Sequence, residues 1–140
     1  MTRRGPILAV LVSPLCADDA TDVWDLLTQA AAALSEGNVV DFLQAFDRSM
    51  PGYPMLETNV SALVREYQVR SSIEPLVEDG DNRSRTIMLD WFMELVERQD
   101  ETNITRRRER VHCRFVKNGK KWKIASLDPI AFFAPAERLG

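Results

Sequence analysis

The sequence predicts an α+β domain in which three N-terminal helices cover one face of an antiparallel sheet. Two observations in residues 86–128 carry the prediction. The first is Asn118-Gly119 between two apolar-patterned segments, a pair that marks a tight hairpin because both central residues need positive φ. The second is the strict alternation Ile87, Leu89, Trp91, Met93, Leu95, which puts every second side chain on one side of a strand. A third lies upstream. Residues 22–67 carry apolar side chains at helical spacing, and these need a large apolar surface to pack on.

The chain has 140 residues, enough for one domain with a real core. A hydrophobic content of 45% against 28% charged residues places it among globular proteins. The formal net charge of −3 argues against a general nucleic-acid binder, and no nucleic acid is expected as a partner.

Residues 1–17 read as a short secretory leader. Arg3 and Arg4 precede an apolar run from Ile7 to Val12, and Pro14-Leu15-Cys16-Ala17 supplies a cleavage region. The plain alternative is a disordered tail. Cys16 also invites a lipoprotein reading, but Leu15 is too large for that motif. The run is too short to span a membrane. Residues 18–140 then form the domain, secreted or periplasmic if the leader is real and cytoplasmic otherwise. Cys113 is the one cysteine left after such a cleavage, so no internal disulfide forms.

Asp22 is read as the N-cap of the first helix. Val23, Leu26, Leu27, Ala30, Ala31 and Leu34 follow at helical spacing, and Gly37 ends it. Asn38 caps a second, short helix carrying Val39, Phe42, Leu43 and Phe46. The segment RSMPGYP stops it, since its two prolines and glycine disfavour a helix interior. A third helix carries Leu56, Val60, Leu63, Val64 and Tyr67 on one side.

Four strands follow. The first spans residues 69–77, with Val69, Ser71 and Ile73 facing the core and Pro75 marking a bulge or an edge. The second is the alternating run of residues 87–95, and a turn near residues 100–103 returns the chain. With Asn118-Gly119 as the turn of the last hairpin, Lys117 pairs with Lys120, Phe115 with Trp122, Cys113 with Ile124 and Val111 with Ser126. Arg108, Arg110, His112 and Arg114 point to the opposite face, near Asp90 and Glu94. The tail PIAFFAPAERLG brings Ile130, Phe132 and Phe133 back onto the domain.

Three helices, then long antiparallel strands closing on Trp122, Lys123 and Ile124, with a helix pair joined at Gly37, resemble the nuclear transport factor 2-like superfamily. That superfamily includes SnoaL-like polyketide cyclases, ketosteroid isomerase and scytalone dehydratase. The resemblance covers residues 22–133. It implies a cone-shaped α+β roll, with the helices in the concave face of a curved sheet, a cavity at one end and frequent dimerisation through the sheet. It implies no single activity. In one respect the chain departs from the pattern: a short strand that often carries a pocket acid usually follows the second helix, and here RSMPGYPML stands in its place.

Candidate site residues follow from chemistry and parity. Asp47 is the acid nearest the missing strand, and the ketosteroid isomerase comparison suggests a general base; the alternative is a solvated acid at a helix end. Glu109 is aimed by parity at the core face, where an isolated carboxylate would be costly. It must therefore sit at a rim, pair with Arg107 or line a polar pocket. Trp24, Phe42, Phe46, Tyr53, Tyr67 and Trp91 are candidates to line an apolar cavity, and equally candidates for plain core. His112 is the single histidine, so no multi-histidine metal site exists, and no metal or cofactor is expected. The arginine run divides between two faces, and the outer one, with Phe92, Arg110 and His112, is a candidate homodimer surface. The leading reading is a non-enzymatic module that binds a small apolar or amphipathic ligand or dimerises. The alternative is a SnoaL- or ketosteroid isomerase-like enzyme that transfers a proton through Asp47 or Glu109.

Overall fold

A computed structural model describes the backbone of residues 7–136 and the side chains of residues 19–136. The first six positions of the expected leader and the last four of the tail lie outside it. Helices α1 (Ile7–Ser35), α2 (Val39–Gln44) and α3 (Tyr53–Glu66) precede strands β1 (Tyr67–Gly80), β2 (Ser84–Glu97), β3 (Ile104–Asn118) and β4 (Lys121–Asp128), and a 3-10 turn, Ile130–Phe133, closes the chain. The sheet is antiparallel, curved and unclosed, in the order β1-β2-β3-β4. No helix among the described residues is long and apolar enough to cross a membrane.

Helix α1 does not begin at Asp22. It runs unbroken from Ile7 through Pro14, because Ala17, Asp18, Asp19 and Ala20 continue it and Asp22 lies exposed within it. Asp19 is the buried charged residue of the described chain, at 6% exposure. Its carboxylate accepts hydrogen bonds from Lys117 Nζ and Trp122 Nε1, which fasten α1 to the β3–β4 hairpin.

The helix ends follow the sequence signals. Gly37, at φ +74°, closes α1. Its N–H donates to Leu34 and that of Asn38 to Ala33, the paired bonds that satisfy last-turn carbonyls. The Asn38 side chain accepts from the Asp41 N–H and caps α2. Gly52, at φ +81°, and Pro54 begin α3.

On the sheet, parity holds. Ile87, Leu89, Trp91, Met93, Leu95, Val111, Cys113 and Phe115 are all buried under the helices. Strand β1 is both bulged and at an edge. The register slips between Pro75 and Val77, so Val77 turns to the outer face opposite Met88. The Ser71 N–H points out of the sheet and donates to Ser35 Oγ. Pro75 has the same parity and no N–H to offer, which blunts the free edge against pairing.

The last hairpin is shifted from expectation. Asn118 pairs with Lys121, so the loop is Gly119-Lys120 rather than Asn118-Gly119. Among the described residues no non-glycine residue has positive φ, while Gly119 sits at +64°, as a turn with glycine at its first central position requires. Phe115 therefore pairs with Ile124, not Trp122. A shift of two residues preserves the faces. A bulge after Ile124 then sets Arg114 opposite Ser126 and Cys113 opposite Leu127. Ser126 thus faces outward, and Leu127, at 5% exposure, takes the core place expected for it.

The tail fills the concave side. The Phe133 ring meets Trp91 edge-on at 5.1 Å and Phe42 at 5.8 Å. Arg107, half-buried on the inner face of β3, donates through Nη1 to the carbonyls of Phe132 and Ala134 at 2.8 and 2.6 Å. Loss of water around Arg107 lowers its pKa.

Candidate functional site

The missing strand after α2 is reduced to one residue. Phe46 forms an isolated parallel bridge to Ile124, in which the Ile124 N–H donates to Ala45 O at 2.8 Å and the Asp47 N–H to Ile124 O at 2.9 Å. The bridge seats Asp47 beside β4 at the head of the Pro/Gly segment. There its carboxylate accepts from the Ser49 hydroxyl at 2.7 Å and the Ser49 N–H at 2.8 Å. These bonds, the hydroxyl first, lower the Asp47 pKa, and Lys123 adds a smaller pull in the same direction.

A groove of about 440 Å³ opens next to this turn. Its apolar wall is Val40 and Leu43 of α2, with Phe46 and Tyr53. Its polar lining includes Asp47, Arg48, Glu57 and Lys123. Lys123 Nζ donates to the Gln44 carbonyl at the end of α2, where a cation complements the helix dipole.

The structure brings Asp47, Phe46 and Tyr53 together and leaves the other candidates elsewhere. Phe42, Tyr67 and Trp91 are buried core side chains, with Phe42 and Trp91 in the aromatic stack of the tail. Trp24 packs half-buried at the margin of the core. Glu109 pairs in register with Trp91 yet is exposed. Strand β4 reaches only as far as His112, so Glu109 stands on the open rim of β3. Arg107 is engaged by the tail and not by Glu109. Ile124, which holds Asp47, pairs with Phe115; Glu109 is six positions further along β3, roughly 20 Å away at strand pitch. Asp47 and Glu109 therefore cannot act on one small substrate.

The residues missed by sequence reasoning are Arg48, Glu57 and Asp19. Arg48 and Glu57 sit on opposite sides of a break that periodicity does not cross, and Asp19 fell at the edge of the expected leader. Among the described residues no cluster of three or more His, Cys, Asp or Glu is arranged to hold a metal ion.

On the outer face, two columns of charge stand side by side. Asp90 lies opposite Arg110, Phe92 opposite Arg108 and Glu94 opposite Arg106. Asp90 accepts three bonds from Arg108, at 2.5 and 2.9 Å to one oxygen and at 3.0 Å to the other, and Glu94 accepts from Arg106 at 3.0 Å. The Arg108 hydrogen bonds lower the Asp90 pKa. Phe92 is half-buried between these pairs and Met88 half-buried beyond Asp90, opposite His112; Val77, paired with Met88, is 55% exposed.

In sequence, no protein-family profile and no curated protein matches the chain. In structure, it is similar to a conserved protein from Planctomyces limnophilus, with a TM-score of 0.72 at 7% identity over 79% of this chain and 94% of that one. It is similar to a candidate scytalone dehydratase from Novosphingobium aromaticivorans, with a TM-score of 0.67 at 7% identity over 79% and 82%. A nuclear transport factor 2-like superfamily protein from Salmonella enterica matches with a TM-score of 0.65 at 12% identity, over 86% and 94%. With its three helices on a curved, unclosed antiparallel sheet, the chain has the nuclear transport factor 2-like fold.

Proposed function

We propose that this protein is a non-catalytic module of that fold that pairs with a second copy of itself through the outer face of the sheet. The observation that carries the reading is the paired columns of charge on β2 and β3. A two-fold axis lying along the strands, between β2 and β3, sets Arg110 of one copy over Asp90 of the other. The same operation sets Arg106 over Glu94 and Arg108 over the Phe92 ring. The face is therefore complementary to itself, as a closed two-fold pair requires.

A proton-transfer role has weaker support. The concave side is filled by Phe132 and Phe133. Asp47 is held ionised by Ser49, and a carboxylate with a lowered pKa is a poor base at neutral pH. Sedimentation velocity tests the pairing. The expected species has about twice the 15.9 kDa chain mass. Arg110→Asp or Phe92→Glu should yield monomers, and Arg110→Asp combined with Asp90→Arg should restore the pair. A wild-type monomer at every concentration, or a dimer indifferent to both single changes, overturns the reading.

A further inference from the structure

We propose that the groove between α2, the start of α3 and β4 binds a small zwitterion that carries an apolar group, chemistry of the kind a free aromatic amino acid presents. This site goes beyond the pairing surface and is separate from it. Lys123 lies opposite Val116, six positions along β3 from Arg110, about 20 Å at strand pitch.

The groove holds two acids and two bases, and in each sign one member is committed and one is not. Asp47 is taken by Ser49 and Lys123 by the Gln44 carbonyl. Arg48 and Glu57 are exposed, and among the described residues they form no ion pair with each other. Two opposite charges thus line one concavity without closing on one another. A purely anionic ligand would meet the fixed Asp47 carboxylate, and a purely cationic one the fixed Lys123 ammonium. An uncharged ligand would strip water from the two uncommitted charges, Arg48 and Glu57, with nothing to replace it. A zwitterion answers both signs, its ammonium toward Glu57 and Asp47 and its carboxylate toward Arg48. Val40, 66% exposed although apolar, supplies with Leu43, Phe46 and Tyr53 a wall for the remaining group. The groove's 440 Å³ falls in the range of about 300–1,000 Å³ usual for small-molecule sites.

The test is a nitrogen-15 NMR titration of the full chain with phenylalanine, with N-acetylphenylalanine and phenylalanine amide as the arms that each remove one charge. Phenylalanine should shift amides of residues 40–57 and 118–123, and each analogue should bind about tenfold more weakly, the loss expected for one charged hydrogen bond. Glu57→Gln and Arg48→Gln alter exposed side chains and should each weaken phenylalanine by a similar factor while leaving the remaining spectrum in place. The proposal fails if phenylalanine shifts nothing at millimolar concentration, if the shifts fall elsewhere, or if an analogue lacking one charge binds as well. None of these results bears on pairing through the sheet.

Discussion

The Asp19 carboxylate accepts a hydrogen bond from Lys117 Nζ at 2.9 Å across 98 residues of chain. The same oxygen accepts from Trp122 Nε1 at 3.3 Å, and the Lys117 ammonium lies 5.9 Å from the centre of the Trp122 ring. Removing the acid leaves the indole N–H unpaired beneath the helix. Asp19→Ala should cost about 2 kcal/mol in urea unfolding, and a change under about 0.5 kcal/mol would mean that α1 is fastened by packing alone.

The tail is held by Arg107, which makes no salt bridge among the described residues. Arg107 satisfies the Phe132 and Ala134 carbonyls, so Arg107→Met, which keeps most of the stem, should free that segment first. Hydrogen exchange at Ala134, whose N–H bonds to Ala131, should speed up while exchange in β2 stays slow. Equal acceleration in both would show that the tail and the sheet open as one unit.

Two glycines have similar positive φ angles, +81° at Gly52 and +64° at Gly119, and different surroundings. A Cβ at Gly119 meets nothing within 4 Å, whereas one at Gly52 would lie 2.2 Å from Ile130 Cδ1. Gly119→Ala should therefore cost about 1–2 kcal/mol, the penalty of positive φ alone. Gly52→Ala should cost more, because Ile130 must also move. Chemical denaturation of the two variants gives the order, and the reverse order would be inconsistent with the contact of Gly52 and the tail.

Burial pushes the Cys113 thiol up to about 12 from 9.0. In a Cys16→Ser background, Cys113 should resist a thiol reagent at pH 8 until the protein is unfolded, since the thiolate is the reactive form. The sign of the pH effect follows. With the folded pKa raised, the stability linked to this group is complete below pH 9 and falls as pH rises from 9 toward 12. Fast labelling of native protein at pH 8 would show that the strand is not closed over it.

Much of the sheet is legible in the sequence because its signals are local. The alternation from Ile87 to Leu95 sets which side chains are buried whatever the partner strand, Gly37 ends α1 through its positive φ, and Asn38 starts α2 through its own side chain. Local signals mislead where a distant neighbour decides. Asn118 and Gly119 together suit one turn, yet pairing of Asn118 with Lys121 moves the loop by one residue, and the bulge after Ile124 exchanges Ser126 for Leu127 in the core. Asp22 has the chemistry of a cap, but the segment before it can also be helical, and Asp19 finds its partners on β3 and β4.

The site is less legible, for the same physical reason. Asp47, Phe46 and Tyr53 can be named from chemistry and resemblance, while Arg48, Glu57 and Lys123 join them only when Phe46 pairs with Ile124 and brings α2 against β4. By itself the sequence determined that three helices precede the sheet (though not where the first begins), the order of the strands and the buried face, because hydrophobic periodicity and end signals act within a few residues. Only the tertiary structure decided the register of the last hairpin, the filling of the concave side by Phe132 and Phe133, and which charges share a groove. Those depend on contacts between residues far apart in the chain, whose energies no local pattern encodes.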